Sequence, residues 1–497
     1  MGPNRDTARA TGSGSRSGRR RTRLPLGTLG ALGAALAIVA GGLGVTTSTA
    51  GAGEARGLPG ATGQQATGTA DGGAPKRSAV DGAAPGGAAR SASTAGGSAP
   101  AGAAPAGCSA TDEAIYAPPG SVTGAPGTVL SCRRVTLPQV PGGIPMTAWK
   151  VRYASSDNAG RPTAVSGTVA VPTAAWKGGG TRPVVAFNPG TLGLGPQCAF
   201  SRQLAGEYQD MYEGDNIAES LKAGFAVAAT DGAGYLKGST HPYVSGTDAG
   251  HALLDIARAA PRLPGSGLAP ETEVALWGYS EGGSASLWGA QLAGSYAPEL
   301  RVVGSASGGV PGDLKVVATS LNGGPFAGFL ADAAIGVAAG YPALPFDELL
   351  NAQGKESVAK AKSVCLAGTL ASFPFARIED FTEEGYSLEE LYALRGTDGR
   401  SWGEVLDAQK LGVGVGPAGS GARHEIGFPV LQYRGLLDEV IPTETEDATR
   451  EAYCAAGIPT AWKTYPGEHL TTDRMAVGDT VSWLRDRFAD KPVRDDC

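Results

Sequence analysis

The feature that most constrains this chain is residues 278–282, Gly-Tyr-Ser-Glu-Gly, which fit the pattern Gly-x-Ser-x-Gly. A strand pattern over 273–277 leads into these residues, and a helix pattern over 282–293 follows them. A serine on so tight a strand-to-helix turn has an unfavourable backbone conformation, so its neighbours must lack bulk. In this context the motif predicts that Ser280 is a nucleophile on the turn between a strand and a helix.

The chain from Cys108 onward alternates between strand and helix patterns, and its short apolar runs are typical of parallel strands covered on both faces. We therefore predict an α/β fold, a mostly parallel sheet with helices on both faces. Asp248 and Thr443 are the expected N-caps of two of the helices. The strand patterns lie at 146–154, 165–171, 183–187, 225–229, 273–277, 301–305, 429–433 and 461–465, and the helix patterns at 216–223, 248–260, 282–293, 444–456 and 472–488.

The alternation stops between about residues 312 and 424, where the pattern becomes helical and irregular. An apolar portion over 321–344 contains Phe326 and Phe329. This stretch is too long for a simple loop. We predict that it is an inserted, largely helical cap over the active site, and a subdomain without such a role is the alternative.

A serine hydroxyl is a weak nucleophile and needs a base, and the chain has four histidines. His469 follows the last strand pattern and precedes the last helix, where a loop brings an imidazole to the carboxyl end of the sheet. His251 falls within an amphipathic helix, His241 in a loop before it, and His424 just before a strand. His469 is therefore the predicted base.

The acid that orients the base is expected after a strand between the serine and the histidine. Asp438 follows the strand pattern over 429–433 and precedes His469 by 31 residues. Its carboxylate would fix the imidazole tautomer and stabilise the imidazolium. Glu439 is the adjacent alternative.

An ester or amide carbonyl under attack needs two donors for its oxyanion. The backbone N–H of Glu281 supplies one of them from the geometry of the turn. Two loops compete for the other, residues 188–191 and residues 230–234. The sequence leaves this choice open.

The N-terminal residues predict export. Seven arginines and one acid in the first 25 residues precede an apolar stretch over about 24–45 and Ala-Gly-Ala at 50–52. This arrangement is typical of a signal peptide over 1–52, with an uncleaved membrane anchor as the alternative. Residues 53–107, dominated by Gly, Ala, Pro, Ser and Thr, predict a disordered spacer. The catalytic domain is expected over 108–497 of a secreted, extracellular protein.

The whole chain carries −6, and because its first 52 residues contribute +6, the remainder carries −12. This balance argues against nucleic acid as a partner. None of the six cysteines forms Cys-x-x-Cys, and we expect neither a metal nor a cofactor. An even number in an exported chain favours three disulfides, with about fifteen pairings possible. We expect Cys108–Cys132, Cys198–Cys365 and Cys454–Cys497, of which only the first is argued from closeness in sequence.

Taken together, these residues resemble the secretory lipases related to the fungal lipase A, a family with bacterial members. The resemblance covers most of 108–497. It implies the α/β-hydrolase fold and hydrolysis of triacylglycerols or other carboxylic esters. Its carriers are Gln197-Cys198-Ala199, Gly224-Phe225 leading to Thr230-Asp231-Gly232, the turn at 278–283, residues 435–442 with Asp438, and Gly467-Glu468-His469.

The resemblance also implies roles for single residues. Asp231 would provide the second oxyanion donor through its backbone N–H, and the Cys198–Cys365 bridge would tether the cap to the core. A cap between nucleophile and acid fits residues 312–424. Glu281 departs from the family, because relatives often carry Gln or Gly there.

The expected function is that of a secreted serine ester hydrolase acting on a lipid or a small ester, with the lipid–water interface as its setting. The apolar segment around Phe326 and Phe329 fits an acyl-binding surface, and core packing under the cap explains it equally well. The alternatives are an exported peptidase or acyltransferase on the same fold and a non-catalytic surface protein.

Overall fold

The structure is a computed structural model that describes residues 107–118 and 120–497, all within the unit Thr49–Cys497. The expected signal peptide over 1–52 and nearly all of the spacer over 53–107 lie outside the described residues. Within the described part, no helix combines the length and the apolar character that crossing a bilayer requires.

The core of the fold is a nine-stranded sheet in the order β1-β2-β3-β5-β4-β6-β7-β10-β11. The pairs β1–β2, β2–β3 and β3–β5 are antiparallel, and every later pair along that order, from β5–β4 to β10–β11, is parallel. The strands are β1 Val129–Val135, β2 Met146–Ser156, β3 Pro162–Pro172, β4 Val184–Asn188, β5 Ala226–Thr230, β6 Glu273–Tyr279, β7 Arg301–Gly308, β10 Val430–Gly435 and β11 Thr460–Tyr465, while β8 Val415–Pro417 and β9 His424–Ile426 form a separate pair.

Helices cover both faces of the sheet. Side chains alternate along β4, so that Val185 and Phe187 pack in one apolar cluster with Ile217, while Ala186 packs in another with Leu253. The helices are α1 Asp112–Ile115, α2 Phe200–Leu204, α3 Gly214–Lys222, α4 Gly246–Ala259, α5 Glu281–Tyr296, α6 Leu314–Leu321, α7 Ala327–Gly340, α8 Ala352–Ala361, α9 Leu366–Ser372, α10 Leu388–Ala393, α11 Trp402–Ala408, α12 Thr443–Ala455 and α13 His469–Phe488. The predicted α/β fold is confirmed.

The structure corrects several details of the prediction. Strand β1, the edge strand of the sheet, has no counterpart among the predicted strands. Asp248 and Thr443 are not N-caps, because α4 and α12 begin earlier and their N-cap residues are Ser245 and Pro442. The Asp248 carboxylate instead accepts hydrogen bonds from the Ser245 hydroxyl and the backbone N–H of Asn158.

The insertion between β7 and β10 is helical over 314–408, from α6 to α11. The predicted boundary at 424 extends beyond these helices. The short pair β8–β9 belongs with the main domain, because Val415 and Ile426 pack in the apolar cluster that contains Leu287 of α5. The helical insertion therefore ends before this pair begins.

Three disulfides join the described residues, and each predicted pairing is confirmed. Cys108–Cys132 fastens the start of the described chain to β1. Cys198–Cys365 joins the segment after β4 to the residue that precedes α9, across 167 residues of chain. Cys454–Cys497 holds the C-terminus near the edge of the sheet, where Asp496 donates its backbone N–H to Thr460 of β11.

We predict that the double change Cys198→Ser and Cys365→Ser lowers the free energy of unfolding by about 2–4 kcal/mol. The matched control, Cys454→Ser with Cys497→Ser, opens a bridge across only 43 residues. Because a longer closed loop restricts the unfolded chain more, the first pair is expected to cost about 1 kcal/mol more than the second. Guanidinium unfolding of both variants measures this difference, and a larger loss in the control contradicts it.

Candidate active site

Ser280 occupies the turn between β6 and α5 with a strained backbone. Its φ of 57° and ψ of −119° lie outside the regions that side chains with a Cβ normally adopt. The backbone N–H of Ser280 donates to the carbonyl of Gly308 on β7 at 2.8 Å. This hydrogen bond and the two flanking elements hold the serine at the carboxyl edge of the sheet.

Three glycines allow the chain to approach itself around this turn. A Cβ on Gly278 would overlap the carbonyl of Gly282, and a Cβ on Gly282 would overlap the carbonyl of Asn188 at the end of β4. A Cβ on Gly283 would overlap the carbonyl of Gly308. Each glycine thus meets backbone, which cannot move aside as a flexible side chain can.

The structure brings Ser280, His469 and Asp438 together. The Nε2 of His469 lies 2.9 Å from the Ser280 Oγ, and its Nδ1 lies 2.7 Å from an Asp438 oxygen. The three residues come from the ends of β6, β10 and β11, which meet at one edge of the sheet. The serine is 7% exposed and the histidine 4% exposed, so water has limited access to this chain of hydrogen bonds.

Further hydrogen bonds fix the orientation of the acid and the base. The second oxygen of Asp438 accepts the backbone N–H groups of Val440 and Ile441 at 3.0 and 2.8 Å. The Tyr279 hydroxyl donates to the backbone carbonyl of His469 at 2.6 Å. His469 is the first residue of α13, and not part of the preceding loop as the sequence indicated.

The two adjacent acids of the β10 loop make different contacts. Asp438 accepts a hydrogen bond from the imidazole of His469, whereas Glu439 accepts the backbone N–H of the same residue at 3.2 Å. Burial alone would lower the pKa of His469, but the charge and hydrogen bond of Asp438 outweigh it and raise the pKa above its ordinary value.

The expectation for Asp231 does not match the structure. Its backbone N–H donates to the carbonyl of Ser166 at 2.9 Å, next to the antiparallel pairing of β3 with β5. Its carboxylate accepts both the backbone N–H and the hydroxyl of Ser201. The amide that the family resemblance assigned to the oxyanion is therefore already used.

The other candidate loop, residues 188–191, lies closer to the serine. Thr191 lines the same cavity as Ser280, and no hydrogen bond among the described residues occupies its backbone N–H. The neighbouring Gly190 donates its N–H to the buried carboxylate of Glu213 at 2.8 Å, and this hydrogen bond holds the loop in place. No local pattern in the sequence points to Glu213, because its contact with Gly190 spans 23 residues.

Glu281 and His241 form a second buried pair beside the serine. An Nε2–Oε1 distance of 2.7 Å joins them, and both side chains are less than a tenth exposed. On the other side of the ring, Nδ1 lies 2.6 Å from the carbonyl oxygen of Ala233. Sequence reasoning placed His241 in a loop without a role, since nothing local links it to a residue 40 positions away.

The remaining histidines pack within the structure. His251 stacks on Tyr296 at 3.8 Å between ring centroids, and its Nδ1 lies 3.1 Å from the Ser156 carbonyl oxygen. His424 lies edge-on to Trp288. Neither residue lines the cavity above Ser280.

Ser280 opens into an apolar cavity beneath the helical insertion. The cavity holds about 1100 Å³ of empty space, including the part open to solvent. None of the described residues that line it is charged. Phe329 lines it, whereas Phe326, which packs beside that ring in the same apolar cluster, does not. Most of its walls come from the insertion, including Leu330, Val337 and Leu391.

The sheet order, the serine turn after β6 and the helices inserted after β7 define the class of protein to which this chain belongs. The chain is an ester hydrolase with the α/β-hydrolase fold. A solved structure with this fold, Candida antarctica lipase A in its closed state, superposes with a TM-score of 0.64 at 23% identity, covering 77% of this chain and 87% of that one.

The chain belongs to the secretory lipase family, because the sequence profile described as "Secretory lipase" matches residues 207–496, more than half of its length. A Mycobacterium tuberculosis protein named "probable inactive lipase" is 30% identical over 397 residues, 78% of this chain and 84% of the relative. A secreted triacylglycerol lipase of Malassezia globosa is 29% identical over 387 residues, 75% of this chain and 79% of the relative.

We predict that Asp438→Asn lowers the pKa of the His469 imidazole, because the charge that favours the imidazolium is lost. Glu439→Gln is the matched control, since it removes the neighbouring charge but leaves the hydrogen bond to the ring. NMR titration of the histidine ring protons measures both variants. A larger change in Glu439→Gln than in Asp438→Asn would contradict the assignment of the orienting acid.

Proposed function

We propose that this chain is a secreted serine ester hydrolase of the lipase type that acts through an acyl-serine intermediate. One observation carries the proposal: the serine that is hydrogen-bonded to a His–Asp pair also opens into an apolar cavity. The first part supplies an activated nucleophile, and the second supplies a place for an acyl chain.

The reaction takes two steps. Ser280 attacks the ester carbonyl while His469 takes the serine proton, and Asp438 stabilises the imidazolium that forms. His469 then gives this proton to the leaving alcohol, which departs and leaves the acyl group on the serine. A water molecule, activated by the same imidazole, hydrolyses the acyl-serine and frees the carboxylic acid.

Two backbone amides serve the oxyanion in this proposal. The N–H of Glu281, at the N-terminus of α5, has no partner within its helix and lies next to the nucleophile. The N–H of Thr191 replaces that of Asp231, because it borders the cavity and is free of other hydrogen bonds within the described residues. Both donors are fixed before substrate arrives, so little reorganisation is needed during the reaction.

The proposed substrates are esters of fatty acids. An uncharged cavity walled by aliphatic and aromatic side chains favours a hydrocarbon over a peptide, whose backbone amides would lose their hydrogen bonds there. The name of the Malassezia globosa relative, a secreted triacylglycerol lipase, supports the same class.

The organisation of the chain follows from the same proposal. The helices over 314–408 act as a cap, which the Cys198–Cys365 bridge fastens to the core. Residues 1–52 act as the export signal and 53–107 as the spacer before the enzyme. Three disulfides and membership of a secretory family support an extracellular location.

A non-catalytic protein is the second candidate, since one relative carries the name "probable inactive lipase". An inactive member needs no hydrogen-bonded serine, histidine and aspartate. This chain keeps all three at hydrogen-bond distance, which favours an active enzyme over a non-catalytic protein.

We predict that a fluorophosphonate probe labels the native protein and that Ser280→Ala abolishes the labelling, because only an activated serine attacks such a probe. Mass spectrometry locates the label. Ser284→Ala is the matched control, a second buried serine one turn further along α5. Labelling that survives Ser280→Ala would overturn the assignment of the nucleophile.

A second prediction concerns the cavity. Ala334→Trp, on α7, fills part of the space and is expected to lower kcat/KM for p-nitrophenyl palmitate about tenfold or more, while butyrate hydrolysis changes less. The shorter chain needs less of the cavity. Ala339→Trp lies on the exposed side of the same helix and serves as the control. Equal losses for both esters would count against acyl binding in this cavity.

A further inference from the structure

This inference rests on the proposed function and concerns the second buried pair, Glu281 and His241. A carboxylate directly after the nucleophile is an electrostatic problem, because the oxyanion forms beside the N–H of the same residue. A fixed negative charge there would repel the developing negative charge of the transition state. It would also compete for the positive end of the α5 dipole.

The hydrogen bonds of the pair define its proton count. The partner of the His241 Nδ1 is the carbonyl of Ala233, which only accepts, so Nδ1 carries a proton. The Nε2–Oε1 contact of 2.7 Å then needs one proton between an imidazole nitrogen and a carboxylate oxygen. Whether this proton sits on nitrogen or on oxygen, the two side chains together carry no net charge.

The surroundings hold His241 in this orientation. Its ring stacks on Tyr235 at 4.8 Å between centroids. A Cβ on Gly232 would lie 3.0 Å from the ring, and a Cβ on Gly234 would overlap the backbone of His241. Both glycines have positive φ values, 81° and 92°. The loop after β5 is therefore shaped around this histidine.

We propose that His241 acts as a positioning residue that neutralises Glu281 beneath the oxyanion, and that loss of the single proton shared by the pair sets the alkaline limit of catalysis. Above that limit the proton passes to solvent hydroxide, and the pair becomes an anion next to the reacting carbonyl. The backbone donor remains in place, but the field around it opposes the transition state.

Other titratable groups face the pair and must be separated from it. Asp332 of α7 is the main alternative source of an alkaline pH dependence. Burial raises its pKa to about 8, and one of its oxygens has no hydrogen-bond partner among the described residues. Burial would lower the pKa of His241, but the charge of Glu281 outweighs it and raises the pKa. The remaining groups that face the pair are Asp248, Glu213, Tyr212, Tyr235 and Tyr243.

Four variants test the proposal through the pH dependence of kcat on p-nitrophenyl butyrate, with Ser280→Ala as the blank for spontaneous hydrolysis. In His241→Gln a donor to Glu281 remains but the counter-charge is lost. We expect kcat at pH 8 to fall roughly 10- to 100-fold and the alkaline decline to begin at lower pH. Adding Glu281→Gln to that variant removes the charge, and kcat at pH 8 is expected to recover at least threefold, an estimate of about 0.7 kcal/mol of restored transition-state stabilisation.

The single variants Glu281→Gln and Asp332→Asn show which group causes the fall of kcat at alkaline pH. The proposal expects Glu281→Gln to remove it and Asp332→Asn to leave it in place. Loss of the decline in Asp332→Asn alone overturns the proposal. So does a double variant that is no better than His241→Gln, because a purely structural role gives no rescue by charge removal.

An NMR titration keeps the proposal testable if a variant folds poorly. The chain has only four histidines, so ¹⁵N-histidine labelling resolves each ring in the wild-type protein. His241 is expected to keep its proton to higher pH than in Glu281→Gln, and identical titrations overturn the inference. Fluorophosphonate labelling distinguishes failure of this inference from failure of the proposed function. If Ser280 is labelled but the titration of His241 does not change in Glu281→Gln, only the inference is wrong. If Ser280 is not labelled, the proposed function is wrong.

Discussion

The strained backbone of Ser280 is the constraint on which the site depends. A positive φ at a residue with a Cβ costs on the order of 1–3 kcal/mol, and it persists only where the surroundings determine it. Here the carbonyl of Gly308 accepts the serine N–H, and the close approach of Gly282 to the end of β4 restricts the conformation that the backbone of the turn can adopt. The strain lifts the hydroxyl out of the sheet and towards the imidazole of His469.

Several buried acids lie around this turn, among them Glu213, Glu281 and Asp473. Burial raises the pKa of Asp473, one turn after His469, to about 7, and raises that of Glu213. Asp473 also accepts a hydrogen bond from the Asn216 amide at 3.0 Å. A neutral carboxyl can donate or accept without adding charge. These two carboxyls give the segments around Ser280 polar contacts, and burial favours their uncharged form.

The sequence predicted what depends on local patterns and missed what depends on distant contacts. The α/β fold, the turn at Ser280 and the order of Asp438 before His469 follow from strand periodicity and from motifs a few residues long. The N–H of Asp231 was assigned by family resemblance, and strand pairing with Ser166 could not be read from that motif. The His241–Glu281 contact spans 40 residues, so neither periodicity nor motif spacing could predict it.

The segment after β4 links the loop that contains Thr191 to the helical insertion. It begins at the loop that contains Thr191, and one residue later the carbonyl of Leu192 accepts the backbone N–H of Leu366 in α9. The N–H of Gly195 then donates to Val364, and the bridge from Cys198 closes the connection. Two backbone hydrogen bonds and one covalent bond thus couple this part of the helical insertion to the loop. If the insertion is the cap proposed above, an opening motion that carries α9 with it would also pull on the loop that contains Thr191, whereas a hinge in helices away from α9 would leave that loop in place.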